Sequence, residues 1–149
     1  MRVRALVLVL VCVAACGGAP GAAALQPGTP CSHCRMTVVD PKLASQLVAP
    51  AEEPRFFDDL GCLTAYLAAH PPAPDARAFV ADHGSGGWID AARAVYSRSE
   101  AIETAMGSHL VAHADDAARD ADPSVRGSAR LTAAGVFGAA GAPGGNRDR

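Results

Sequence analysis

The stretch Arg55-Phe56-Phe57-Asp58-Asp59-Leu60-Gly61-Cys62-Leu63 decides how this chain is read. A short apolar segment, Arg55 to Phe57, runs into an acidic pair, and Asp59 stands where a helix N-cap accepts from the first free backbone amides. Leu60, Leu63 and Leu67 then share one helical face with Tyr66 beside them, and Pro71-Pro72 ends the helix at His70. Toward the N-terminus, Met36 to Val39 is strand-like up to Asp40-Pro41, and Leu43 to Ala49 is a second candidate strand closed by Pro50. Toward the C-terminus, Ala78 to Ala81 reads as extended and the run 84–87 as a turn. Trp88 to Tyr96 reads as a strand with a bend, and Leu110 to Ala112 as a short strand before Asp115-Asp116 and a weak helical stretch. Strand, acidic pair and helix thus occur twice, which suggests a duplicated βα-type unit in a small mixed domain.

Composition sets the bounds. Of 149 residues half are apolar, yet only 5% are aromatic, so the core is built largely from Ala and Val; 15 Gly and 11 Pro make the chain loop-rich. Thirteen basic against fifteen acidic residues leave a formal charge of -2, which argues against a nucleic-acid binder. The one long apolar run is at the N-terminus and is too short for a stop-transfer helix, which excludes a polytopic membrane protein. Residues 1–15 have the order of a bacterial secretory signal: Arg2 and Arg4, an apolar stretch, then Ala14-Ala15 before Cys16. Val13-Ala14-Ala15-Cys16 resembles a lipobox, in which the cysteine becomes the acylated N-terminus. Residues 16–25 then form a lipidated, Gly/Ala-rich tether, 26–116 the folded domain, and 117–149 an Ala/Gly/Arg-rich tail expected to be mostly disordered.

Removal of the signal and lipidation of Cys16 leave Cys31, Cys34 and Cys62 as thiols, and Met36 and Met106 as the methionines. Haem attachment at Cys31-Ser32-His33-Cys34 needs a histidine next, and position 35 is arginine. A thioredoxin-like pair needs the first cysteine at a helix N-terminus after a buried strand, which Leu25 to Pro30 does not supply. Structural zinc needs four ligands, and only Cys62 and scattered histidines could complete the set. Cu(I) is satisfied by two or three soft sulfur donors, and an extended chain from position 34 would point Cys34 and Met36 the same way. Cys31, Cys34 and Met36 are therefore candidate ligands, with His33 at hand. Met106, in a loop with Gly107 and Ser108, is a fourth candidate, and His109 an accessory one. Cys62 reads as a small buried hydrophobe, Asp58 and Asp59 as turn and cap residues.

These residues resemble the nitrous oxide reductase accessory lipoproteins, the NosL copper chaperones. The resemblance runs in matching order from Cys16 to about Ala114, through the cysteine pair with Met36, Phe57-Asp58-Asp59-Leu60-Gly61-Cys62, Trp88-Ile89-Asp90-Ala91 and Thr104-Ala105-Met106-Gly107. It implies an α+β fold of two related ββα-type units. It also implies a non-enzymatic, membrane-tethered periplasmic protein, with Gly18 favouring the outer membrane, that binds Cu(I) and delivers it to nitrous oxide reductase or its assembly machinery. A periplasmic thiol-disulfide oxidoreductase acting through Cys31 and Cys34 is the alternative. Two positions depart from the family: Arg35 replaces a glycine, and Ala105 replaces a proline before Met106.

Overall fold

The structure, a computed structural model, describes residues 19–144. The signal segment and Cys16 lie outside the described residues. Strand β1 (Ser45–Val48) pairs antiparallel with β2 (Arg55–Phe57) on one side and β3 (Arg77–Ala81) on the other, and β3 pairs with β4 (Trp88–Asp90). A second sheet has β5 (Val95–Arg98) at its centre between β6 (Leu110–His113) and β7 (Arg130–Leu131). Helix α1 (Leu60–Ala69) follows β2, and α2 (Asp116–Ala121) follows β6. A 3-10 turn over Pro123–Val125 and α3 (Ala133–Phe137) complete the chain. The bend expected between Trp88 and Tyr96 is a change of sheet: Asp90 accepts from the Ala92 amide at 2.9 Å, and the chain leaves β4 to begin β5.

The duplication is visible bond by bond. Asp40 and Asp90 each accept a side-chain hydrogen bond from the amide two residues on, at 2.9 Å in both cases, and each precedes a strand by five residues. Those strands pair with β2 and β6 in the same register, Ser45 opposite Phe57 and Val95 opposite His113. Two residues beyond each pair lies the helix cap, Asp59 accepting from Gly61 N–H at 2.5 Å and Asp115 from Ala118 N–H at 2.8 Å. Before each unit stands the same tight turn. Cys31 N–H donates to Met36 O and Arg35 N–H to Cys31 O; correspondingly Asp82 N–H donates to Gly87 O and Gly86 N–H to Asp82 O. The next residue also matches, Ser32 N–H reaching Phe56 O and His83 N–H reaching Ala112 O. Met36 to Val39 makes only an isolated bridge, Thr37 with Pro30, in place of the expected strand.

One core serves both sheets, with Phe57, Leu60 and Leu63 packed in a cluster that also holds Leu47, Val80, Tyr96 and Leu110. The chain beyond residue 116 differs from the disordered tail expected of its composition, because its few large side chains are all used. Phe137 sets its ring 5.8 Å from that of Tyr96, and Val125 is fully buried against Ile102 and Val111. Arg119 ties the segment down through Ser97 Oγ at 2.8 Å and Ser128 O at 2.6 Å, and Pro143 O accepts from Ala78 N–H. Order therefore persists to residue 144; the last five residues lie outside the described part. Val125→Ala is expected to destabilise the fold by about 2 kcal/mol, the loss of two buried methyl groups plus the cavity left. Urea unfolding checks this, and an unchanged midpoint would mean that the segment does not pack.

Candidate metal centre

The turn that opens the first unit carries Cys31 and Cys34. Its geometry comes from the backbone: the Cys31 amide donates to Met36 O at 2.7 Å and the Arg35 amide to Cys31 O at 3.1 Å. Closing it forces Arg35 into the left-handed region at φ 70°, where glycine carries no steric penalty; the matching residue of the second unit is Gly86, at φ 76°. Ser32 N–H hydrogen-bonds Phe56 O at 2.7 Å and so pins the turn beside the end of β2, where Asp58 and α1 begin.

This brings four side chains together. One ligand atom each from Cys31, Cys34, Asp58 and Cys62 lies within 4.8 Å of every other. Cys34 Sγ stands 3.5 Å from both Asp58 carboxylate oxygens. Cys31, Asp58 and Cys62 are buried, while Cys34 is partly open. No two of the three thiols are joined in a disulfide. Burial pushes the Cys34 thiol above its ordinary value, opposed by the Met36 amide that faces its sulfur and reinforced by Cys31 and Asp58. Burial, with Asp58 and Cys31 beside it, raises Cys62 far more. The pocket thus keeps these two thiols protonated at neutral pH, and a cation entering it displaces protons.

Asp58 and Cys62 were legible in the sequence only as turn and core residues. Cys62 reaches the cluster because it is the third residue of α1, whose first turn lies against the 31–36 loop. The available signal was the short separation of Asp58 and Cys62 across the capped start of α1.

Met36 and Met106 are exposed, at 45% and 52%, unusual for large apolar side chains. Met106 is brought to this end of α1 by Asp59. The buried carboxylate accepts from Met106 N–H at 2.9 Å and Ser108 N–H at 3.4 Å while capping α1 through Gly61. Burial alone would raise the Asp59 carboxyl, but hydrogen bonds from Ser108, Thr104 and the Gly61 and Met106 amides hold it below the usual carboxylate range. His33 is exposed and lines a shallow cleft with Arg35, Arg55, Tyr66 and His70, outside the cluster. His109 is turned away, its Nδ1 at 2.8 Å from Ile102 O and its Nε2 at 3.5 Å from Glu100.

The NosL family profile matches residues 22–124. The chain belongs to the NosL family. Among solved structures, the crystal structure of the copper chaperone NosL from Shewanella denitrificans matches with a TM-score of 0.60 at 16% identity, covering 75% of this chain and 92% of that one. The α+β fold of paired units is therefore a NosL fold. None of the curated proteins compared matches this sequence.

Gly61 is what lets the Met106 loop dock on α1 of this NosL chain. A Cβ there would lie 2.9 Å from Ser108 Cβ and 3.0 Å from Asp59 Oδ1. In an ordinary helix Gly→Ala gains about 1 kcal/mol. Gly61→Ala is expected to lose about 1–2 kcal/mol instead, because loop and helix must part. Thermal unfolding tests the sign; a raised Tm would show that the loop is not held this closely.

Proposed function

We propose that this protein is a copper chaperone that binds Cu(I) at the Cys31, Cys34, Cys62 and Asp58 cluster and passes it on. The observation that carries this reading is the convergence of three free thiols and one carboxylate in a pocket open at Cys34. Soft thiolates select a soft d10 ion, and two or three of them satisfy it. The solved relative from Shewanella denitrificans is itself described as a copper chaperone. Delivery needs a bound ion reachable by a partner's ligand, and the exposed thioethers of Met36, in the same turn as Cys34, and Met106, whose loop docks on the start of α1, suit that hand-over as weak, neutral donors that hold no proton.

The finer reading rests on the sequence. Cys16 carries the lipid that anchors the chain to a membrane facing the periplasm, the outer one in the arrangement Gly18 favours, and the copper goes to nitrous oxide reductase or its assembly machinery. Among the described residues no helix is long and apolar enough to cross a membrane. Cys16→Ser is expected to abolish incorporation of labelled fatty acid into the chain; unchanged labelling would reject the anchor.

Thiol-disulfide exchange is less well served by this site. Cys31 opens a turn that runs into the bridge at Thr37 and begins no helix of its own, unlike the first cysteine of a thioredoxin-like pair. Anaerobic Cu(I) titration of the reduced protein against a competing chelator is the deciding experiment. Cys34→Ser is expected to weaken binding by about a hundredfold or more, while full affinity in both Cys31→Ser and Cys34→Ser would reject the site. Each displaced thiol proton lowers the apparent affinity about tenfold per pH unit of acidification. Because the Cys34 and Cys62 thiols are both raised, the fall is expected to run continuously from pH 8 to pH 5, and a flat profile would show that neither thiol is a ligand. Insulin reduction dependent on Cys31 and Cys34, with no Cu(I) uptake, would favour the oxidoreductase.

A further inference from the structure

The second unit has its own convergence of donors. Its opening turn carries Asp82 and Ser85 at the places held by Cys31 and Cys34 in the first, and these two fill the turn with hydrogen bonds. Ser85 Oγ donates to Asp82 Oδ2 at 2.7 Å, and Ala114 N–H donates to Asp82 Oδ1 at 3.0 Å. The donors lie one residue on. His83, in the place of Ser32, and His113, in the place of Phe57, both aim a ring nitrogen at one oxygen of Asp122. His83 Nδ1 stands 2.6 Å and His113 Nε2 3.0 Å from Asp122 Oδ2.

We infer that His83 Nδ1, His113 Nε2 and Asp122 Oδ2 form a second metal site, for a borderline divalent cation of the Zn2+ or Cu2+ class. One ligand atom from each residue lies within 4.8 Å of the others. Ligands at 2.0–2.1 Å around a tetrahedral ion sit roughly 3.3 Å apart, so each ring nitrogen needs to draw back from Asp122 Oδ2 by less than about 1 Å to admit one. Imidazole and carboxylate suit Zn2+ and Cu2+, not the soft ion that thiolates select. Asp122 is oriented for ligation by its other oxygen: Oδ1 accepts from Ser124 N–H at 2.9 Å and from the Ser124 hydroxyl, leaving Oδ2 to the histidines. Those hydrogen bonds, with both imidazoles, outweigh burial and keep the Asp122 carboxyl well below the usual range. His83 is partly exposed, which gives an ion a way in and leaves a fourth position for water.

His113 makes a purely structural role hard to sustain. Its side chain is completely buried, yet Nδ1 has no hydrogen-bond partner. A half-satisfied imidazole is an expensive core residue, where an apolar side chain would cost nothing of the kind. Its one polar contact is the one Nε2 makes toward Asp122 Oδ2, so whatever keeps a histidine in this core acts through Nε2, the atom an ion would take. The inference does not rest on copper binding at the thiols and survives if that reading fails.

The test is a Co2+ titration of the full reduced chain in detergent, followed by competition with Zn2+. Thiolate ligation of Co2+ produces a sulfur charge-transfer band that imidazole and carboxylate do not. The expected result is one equivalent bound without that band, retained in Cys34→Ser and weakened about a hundredfold or more in His83→Ala. Because His83→Ala also removes a hydrogen bond, His83→Gln, which keeps an N–H donor toward Asp122, is measured beside it; both variants should lose the rise in Tm that Zn2+ gives the parent chain. Failure of the parent chain to bind, or binding that survives both His83 variants, overturns the proposal. So does binding that shows the thiolate band and disappears with Cys34→Ser.

Discussion

The Asp59 carboxylate is the contact on which the arrangement of this protein depends. It caps α1 through Gly61 and, on the same side chain, accepts from the Met106 and Ser108 amides of the β5–β6 connection. One buried group therefore starts the helix of the first unit and holds a loop of the second against it. A buried carboxylate is costly unless its lone pairs are filled, and here backbone amides fill them. The requirement also explains Gly61: a side chain at that position would push away the loop that satisfies the carboxylate. Both the half-open cluster at Cys34 and the exposed Met106 are placed by this contact, since Asp58 and Cys62 flank Asp59 along the chain.

Much of this was legible locally. The cap at Asp59, the helix that Pro71-Pro72 stops, the turn at 84–87 and the repeat of strand, acidic pair and helix are set by residues close in sequence, and the structure has them all. What was not legible depends on long-range closure. The Trp88 to Tyr96 segment divides between two sheets, which apolar alternation alone does not reveal. The residues after 116 are poor in large side chains, but Val125 and Phe137 each find a buried partner across the fold. Cys62 looked like a core residue and is one by exposure; only the docking of the 31–36 turn on β2 shows that its sulfur also faces Cys31 and Asp58.

Arg35 shows how a local departure from the family pattern is absorbed. The turn needs a left-handed residue at this point because its two hydrogen bonds run from Cys31 N–H to Met36 O and from Arg35 N–H to Cys31 O. Glycine satisfies this freely, and the second unit uses Gly86. An arginine accepts a backbone cost of about 1–2 kcal/mol for the same geometry. The turn closes all the same, because its backbone bonds and the Ser32 link to β2 over-determine the conformation.

The same backbone turn, used twice, separates scaffold from chemistry. In one copy the turn presents sulfur, with a carboxylate from the end of the neighbouring strand; in the other it presents oxygen at Asp82 and Ser85 and an imidazole at His83, with a second imidazole from the end of β6. Register places both turns at the same end of the first sheet: Phe57 and Val80 face Ser45 from either side, and the chain leaves the sheet beyond each of them toward Asp58 and His83. Two strand spacings, roughly 10 Å, lie between those exits. Ion preference in such a scaffold is decided by a few side chains, not by topology, because the main-chain hydrogen bonds that shape each turn are indifferent to what it carries. Exchanging soft for borderline donors at one turn would then alter the preferred ion while leaving the other turn, the two helix caps and the shared core untouched.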